Sequence, residues 1–218
     1  MAAASTWDVV SIVEAVAASL SREAARLDAE QAVYGIDVLD ELGLHPLIQR
    51  GLREAGFGVH PEQAYPSDRA GRRRKSEGKR CDIVLTQEGA PLVNPEAEAT
   101  LFSEPDAVPL ETAYWLEVKT VSQFTIEGPF PRYSAELLQP VTKDVKKLAQ
   151  DPLIFHAGLL LVLFTADAAT AAHDLGAWEQ RALHRGYGVT PPVVRDFAIT
   201  ERTGNAHLCV ALFGVRRL

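Results

Sequence analysis

Apolar residues recur along the chain at two different spacings, which indicate helical and extended segments. Apolar residues recur every three or four positions, as on the buried face of a helix, over residues 7–27, 37–55, 134–150 and 168–185. Shorter apolar or alternating runs predict strands at 57–65, 81–85, 112–121 and 154–164, and a closing hairpin from 197–199 and 208–215. This order of elements predicts an α/β fold with a mixed central β-sheet flanked by helices.

Proline and glycine positions refine the second predicted helix. Pro46 is expected in a first turn, because proline lacks the N–H that an interior turn needs, so the pattern predicts a break near residues 43–45. Gly56 is expected to end this helix, since glycine readily adopts the left-handed conformation found there. The segment 134–150 is predicted to be one continuous amphipathic helix.

The length of 218 residues suits a single domain. We expect residues 1–36 to form a helical extension that packs on the core, and residues 37–218 to form the domain itself. No apolar run approaches the about 18 residues that a membrane span needs, and the first residues lack the basic segment of a secretory signal. Two cysteines are too few for a disulfide framework. These features predict a cytoplasmic protein without a membrane partner.

Charged residues interrupt one of the apolar strands. Strand residues alternate between faces, so Glu117 and Lys119 are expected to point the same way and Val118 the other. Charges on an apolar strand are costly unless they pair or bind something. If the strand carrying Asp82 lies next to this one, two carboxylates and a lysine meet at one spot, and such oxygen ligands suit Mg²⁺ or Mn²⁺. The alternative is a structural ion pair in an unrelated α/β domain.

These segments resemble the core motif of the PD-(D/E)xK nuclease superfamily. The resemblance is carried by Asp82-Ile-Val-Leu, followed by Trp115-Leu-Glu-Val-Lys119, and by Glu41 on the preceding helix. The helix at 134–150 and the strand from 154 match the next two elements, so the likeness covers about residues 37–165. It implies a restriction-endonuclease-like core and divalent-metal-dependent hydrolysis of phosphodiester bonds.

The resemblance also implies roles for individual residues. Asp82, Glu117 and the Val118 carbonyl would hold Mg²⁺ or Mn²⁺, Lys119 would orient or stabilise the attacking water, and Glu41 would hold a second ion or a water. Glu62 is an alternative third acid. The proline that names the motif is absent, since Arg80 and Cys81 precede Asp82, and the loop between the motif strands is long.

The charge distribution bears on the partner. The formal net charge of −7 argues mildly against a phosphate-binding module. However, seven of the twelve residues at 69–80 are basic and lead directly into the Asp82 strand. Clustered arginine favours phosphate backbones, so we expect nucleic acid, DNA above all, to contact Arg72, Arg73, Arg74, Lys75, Lys79 and Arg80. The alternative is a solvated loop.

Several other polar residues are expected to have structural roles, or leave two alternatives open. Gln123 is either a substrate contact or a polar residue at a strand end, and His45 is expected to be a cap or a packed histidine. Asp144 and Lys147 are expected to form an exposed pair on their helix. The helix at 7–27 is either a homodimer surface or a lid on the sheet. The competing function for the whole chain is a nucleic-acid-binding or scaffold domain of the same fold without turnover.

Overall fold

The computed structural model describes residues 7–69, 80–93 and 106–217, and it confirms the α/β prediction. Its strands are β1 (Gly58–Ala64), β2 (Arg80–Thr86), β3 (Tyr114–Ser122), β4 (Phe124–Thr125), β5 (Gly128–Pro129), β6 (His156–Thr165), β7 (Val193–Ala198) and β8 (His207–Val215). Six of them form one mixed sheet in the order β1-β2-β3-β6-β8-β7, while β4 and β5 form a separate two-stranded ribbon. Within the main sheet β3 and β6 are parallel, and the other neighbours are antiparallel.

Helices cover both faces of the main sheet. They are α1 (Val9–Ala29), α2 (Glu41–Glu54), α3 (Pro66–Arg69), α4 (Tyr133–Leu138), α5 (Pro140–Gln150) and α6 (Ala168–His184). Helices α1 and α2 enclose one hydrophobic core against the sheet, and α4, α5 and α6 enclose another. Helix α1 packs on α2 and reaches β7 and β8. In the described part of the chain, none of the helices has the length and apolar character needed to cross a membrane.

The most apolar run of the sequence forms the central strand β6. Every residue from Ala157 to Thr165 is buried, because helices cover both faces of this strand. A strand buried on both faces reads as a continuous apolar run and not as an alternating one. The parallel crossover from β3 to β6 passes through α4 and α5, so α5 lies over β3 on the face that carries Glu117.

Two prolines change the predicted helix boundaries. The predicted helix at 134–150 is divided, because α4 ends at Leu138 and α5 begins at Pro140, whose missing N–H cannot continue the preceding turns. The break expected near residues 43–45 was wrong: α2 begins at Glu41 and contains Pro46 as its sixth residue. Gly56 does follow the end of α2, with a φ of 89°, as predicted.

The sheet opens beside β3. The β2–β3 ladder joins only three residue pairs, ending at Ile83 opposite Leu116. Strand β3 nevertheless continues along β6 as far as Ser122. Beyond Leu116, the edge of β3 that faces β2 is therefore released from the ladder, and side chains from other elements enter there.

The basic segment ahead of β2 lies mostly outside the described residues. This holds for five of the six residues expected to contact nucleic acid, Arg72, Arg73, Arg74, Lys75 and Lys79. Residues 94–105 of the predicted long loop are outside them too. The described ends of that loop meet in an isolated bridge between Leu92 and Val108.

Candidate metal centre

Asp82 lies at the point where β2 and β3 part. Its Oδ2 accepts a hydrogen bond of 2.7 Å from the backbone N–H of Val118. The N–H and C=O of one strand residue point to the same side of the strand, so the Val118 carbonyl also faces this opening. Asp82 remains partly exposed. The Asp82 side chain thus takes the place of the strand partner that would otherwise pair next with β3. It leaves a carboxylate oxygen at the opening.

Helix α2 brings two further ligand types to the same place. Asp40 begins the helix by accepting a hydrogen bond of 2.8 Å from the Gly43 N–H. Glu41 and His45 are four residues apart, so they share one face of α2. One potential ligand atom from each of Glu41, His45 and Asp82 lies within 4.8 Å of the others. This spacing fits three ligands around a single divalent cation.

The side chain of His45, a member of this cluster, has a buried nitrogen without a partner in the described part of the chain. The residue is only 9% exposed, and its Nε2 is buried without a hydrogen-bond partner among the described residues. Buried polar atoms nearly always have a partner, because an unmade hydrogen bond leaves the desolvation cost uncompensated. A cation between His45, Glu41 and Asp82 would meet that need. The donor set therefore fits a divalent metal.

Glu117 is the most deeply buried acid of the site, at 2% exposure. The Tyr65 hydroxyl donates a hydrogen bond to its Oε1, and the Tyr65 ring stacks on Trp115 with centroids 5.9 Å apart. Burial, followed by the nearby Asp82 and Asp144 carboxylates, raises the pKa of Glu117 to about 8. The Glu117 side chain therefore holds its proton near neutral pH unless a cation or another positive charge approaches.

Lys119 points to the same face of β3 as Glu117 and pairs with Glu41 through the sheet opening. Its Nζ lies 3.0 Å from Glu41 Oε1 and 3.1 Å from Oε2, and 3.5 Å from Asp144 Oδ2. Burial alone lowers the pKa of Lys119, but the carboxylates of Glu41 and Asp144 outweigh it and raise this pKa above its ordinary value. Lys119 is therefore a fixed positive charge beside the candidate ligands.

Asp144 and Lys147 belong to this site, which the sequence interpretation missed. They do form the expected pair, with Lys147 Nζ 2.6 Å from Asp144 Oδ1. The expectation of an exposed pair was wrong, however, because Asp144 is only 4% exposed and α5 directs it onto β3. The signal was in the pattern: Asp144 is three residues after Val141 and four before Leu148, on the apolar stripe of the helix.

The remaining predicted residues lie outside this cluster. Glu62 is exposed on β1 at a φ of 54°, and its carbonyl accepts a hydrogen bond of 2.6 Å from Arg80. The compact group of potential ligands contains Glu41 and not Glu62. Gln123 ties the ends of two strands together, since its Oε1 accepts a hydrogen bond of 2.9 Å from the Ala166 N–H. Gln123 therefore has a structural partner.

Charge at the opening is unbalanced. Within residues 7–69, 80–93 and 106–217, the carboxylates at the opening are Glu41, Asp82, Glu117 and Asp144, and the cations beside them are Lys119 and Lys147. Fully ionised, this set carries an excess of two negative charges, which one divalent cation would neutralise. Without such a cation, the proton that Glu117 retains reduces the excess to one negative charge.

Comparison of the chain with protein-family models, with curated proteins and with solved structures finds no match. The functional interpretation therefore depends on the chemistry of the residues at the sheet opening.

Proposed function

We propose that this protein is a divalent-metal-dependent nuclease with a restriction-endonuclease-like core, which hydrolyses phosphodiester bonds of nucleic acid, DNA in the first instance. The observation that carries the proposal is the convergence of Glu41, His45 and Asp82 within 4.8 Å beside the charged side chain of Lys119. Three elements distant in sequence contribute to it. The order of these elements is also the order that the PD-(D/E)xK resemblance implies.

The ligand set favours a particular cation. Glu41, His45, Asp82 and the Val118 carbonyl would hold it, with Glu117 joining on loss of its proton. Mg²⁺ takes oxygen ligands almost exclusively, whereas an imidazole ligand suits a transition ion. Mn²⁺ satisfies both the carboxylates and His45. When bound, such a cation supplies Lewis acidity that activates water at neutral pH and neutralises charge on the phosphate.

The side chains of the protein supply the remaining chemistry. Lys119 is held charged by Glu41 and Asp144, so it offers a preorganised positive charge where negative charge grows on the phosphate oxygens. With Glu41 bound to a cation, the donors that Lys119 directs at Glu41 would be free to orient an attacking water. The Tyr65 hydroxyl fixes the orientation of Glu117. Asp82 and Glu41 hold their oxygens toward the opening, where solvent and substrate have access.

One observation favours the competing function, a binding or scaffold domain of this fold without turnover. Both carboxylate oxygens of Glu41 already accept hydrogen bonds from Lys119. A Glu41 carboxylate that is paired in this way needs no metal. In that case Lys119 and Glu41 form a structural ion pair that joins α2 to β3.

Titration calorimetry with Mn²⁺ separates the two functions. The nuclease proposal predicts a binding site in the wild-type protein that is lost in Asp82→Asn, a substitution that keeps an oxygen for the Val118 N–H. Glu54→Gln is the matched control, because Glu54 is exposed and lies at the opposite end of α2 from Glu41. Absence of Mn²⁺ binding to the wild-type protein would refute the nuclease proposal.

A further inference from the structure

A second lysine, Lys147, lies at the opening, and it belongs to a different element than Lys119. It lies on α5, its Nζ is 2.6 Å from Asp144 Oδ1, and it is 3.9 Å from Glu117 Oε1. Asp144 stands between the two lysines, because its other oxygen lies 3.5 Å from Lys119 Nζ. Both ammonium groups are thus held on one buried carboxylate.

The two lysines differ in the hydrogen bonds that they have left to make. A lysine ammonium has three donors. Lys119 directs donors at both oxygens of Glu41 and approaches Asp144 as well. Among the described residues, Lys147 makes a single hydrogen bond, to Asp144, since its distance to Glu117 exceeds hydrogen-bonding range. Its side chain is 29% exposed. Lys147 therefore keeps donors directed at solvent.

The surroundings keep Lys147 charged. Burial lowers its pKa, but the hydrogen bond to Asp144 and the charges of Glu117 and Asp144 outweigh this effect and raise the pKa above its ordinary value. A lysine held charged by a buried carboxylate, with donors to spare, is suited to bind an anion. Near a site for phosphodiester hydrolysis, the anion with this chemistry is a backbone phosphate.

We propose that Lys147 binds a phosphate of the nucleic-acid backbone and that Asp144 is the positioning residue that holds Lys147 for this contact. This inference rests on the proposed function, because it takes nucleic acid as the ligand of the opening. It assigns the two lysines different tasks: Lys119 acts on the reacting phosphate, and Lys147 anchors the strand. The purely structural alternative is that Lys147 only balances the charge of Asp144 and Glu117.

The salt dependence of DNA binding distinguishes an anchor from a structural ion pair. The affinity of the full chain for a fluorescein-labelled DNA duplex is measured by fluorescence anisotropy. The buffer contains Ca²⁺, and the salt concentration is varied between about 50 and about 200 mM. Loss of one phosphate contact lowers the slope of log affinity against log salt by about 0.9. We expect this change, with affinity about fivefold to tenfold weaker at the lower salt, in Lys147→Met. Lys147→Arg should restore the slope.

The matched control is Lys146→Met, on the same helix one residue away and exposed; we expect it to keep the wild-type slope. Asp144→Asn should weaken binding in the wild-type background and add nothing to Lys147→Met. A Lys147→Met protein with the wild-type slope would overturn the assignment, even if its thermal stability fell, as would a wild-type protein that binds no DNA. Cleavage in Mn²⁺ is scored separately: a slope change without cleavage supports the phosphate contact of Lys147 and refutes the nuclease activity.

Discussion

The ammonium group of Lys119 lies 3.0 and 3.1 Å from the two carboxylate oxygens of Glu41, a residue on the other side of the sheet opening. The pair joins α2 to the part of β3 that β2 no longer covers. It also neutralises one of the acids proposed to bind metal. A cation entering the cluster must therefore compete with Lys119 for Glu41. The metal-binding role proposed for Glu41 and the catalytic role proposed for Lys119 can therefore be separated by removing Lys119.

Removing Lys119 should affect metal binding and catalysis in opposite directions. In Lys119→Ala, Glu41 loses its ion pair and the site loses a repelling charge, so we expect Mn²⁺ to bind at least about threefold more tightly. Calorimetry measures this change. Cleavage should fall by about 10²- to 10³-fold, the usual cost of removing a group that stabilises the transition state. Weaker Mn²⁺ binding in this variant would contradict the proposed competition.

His45 should determine which metal is preferred. In His45→Ala, we expect Mn²⁺ affinity to fall by about tenfold or more, because an imidazole ligand is lost, while Mg²⁺ affinity changes little. Calorimetry with each ion in turn makes the comparison. Equal losses for both ions would show that His45 acts through packing, and unchanged Mn²⁺ affinity would remove it from the ligand set.

Glu117 should make the metal-free protein less stable as pH rises. Its pKa is about 8 in the folded protein and near 4.5 as an ordinary side chain, so the folded state binds the extra proton between these values. The free energy of unfolding attributable to Glu117 therefore falls as pH increases from about 4.5 to about 8 and then stays constant. Relative to wild type, Glu117→Gln should gain up to about 5 kcal/mol above pH 8 and almost nothing near pH 4.5, since each unit of pKa shift corresponds to about 1.4 kcal/mol.

Chemical denaturation in the presence of a chelator measures this effect across the pH range. Glu127→Gln, at an exposed acid, should show no such pH-dependent gain. A Glu117→Gln protein whose advantage is the same at both ends of the range would mean that Glu117 is ionised throughout.

The hydroxyl of Tyr65 should contribute to stability only while the side chain at position 117 offers it an acceptor oxygen. In Tyr65→Phe, the ring can still stack on Trp115, but Glu117 loses the donor that fixes it. We expect a loss of about 1–3 kcal/mol in the free energy of unfolding, the cost of an unmade buried hydrogen bond. A double-mutant cycle with Glu117→Met, which offers the hydroxyl no oxygen acceptor, gives the coupling when it is read by denaturation at neutral pH; additive effects would mean that the hydrogen bond contributes nothing.

Local pattern was enough to indicate five strands of the main sheet and the face of β3 that carries Glu117 and Lys119, but it found only the last two residues of β7 and neither β4 nor β5. Alternation is a property of a single strand, so it can be read without knowing what packs on it. The divided helix at 139–140 and the intact start of α2 were not anticipated. Both depend on how a proline is accommodated by its neighbours, which periodicity does not describe.

The residues that complete the site required tertiary information. Tyr65, which follows β1, reaches the opening together with His45 of α2 and Asp144 of α5, and their meeting depends on where β2 leaves β3. His45 and Asp144 nevertheless left a trace in the sequence. Each is a polar residue at a helical position where the apolar stripe continues, beside Ile48 and Val141 respectively. A titratable residue at a core position is a signal for a site.

Metal-dependent cleavage of DNA tests the central claim most directly. A labelled duplex is incubated with the wild-type protein, Lys119→Ala and the control Lys143→Ala, whose lysine is exposed on α5, with Mn²⁺, Mg²⁺ or a chelator. The proposal predicts that wild type and Lys143→Ala cleave the DNA only when a metal is present, and that Lys119→Ala is slower by about 10²- to 10³-fold. Absence of cleavage by the wild-type protein in either metal, or a Lys119→Ala protein as active as wild type, would contradict it.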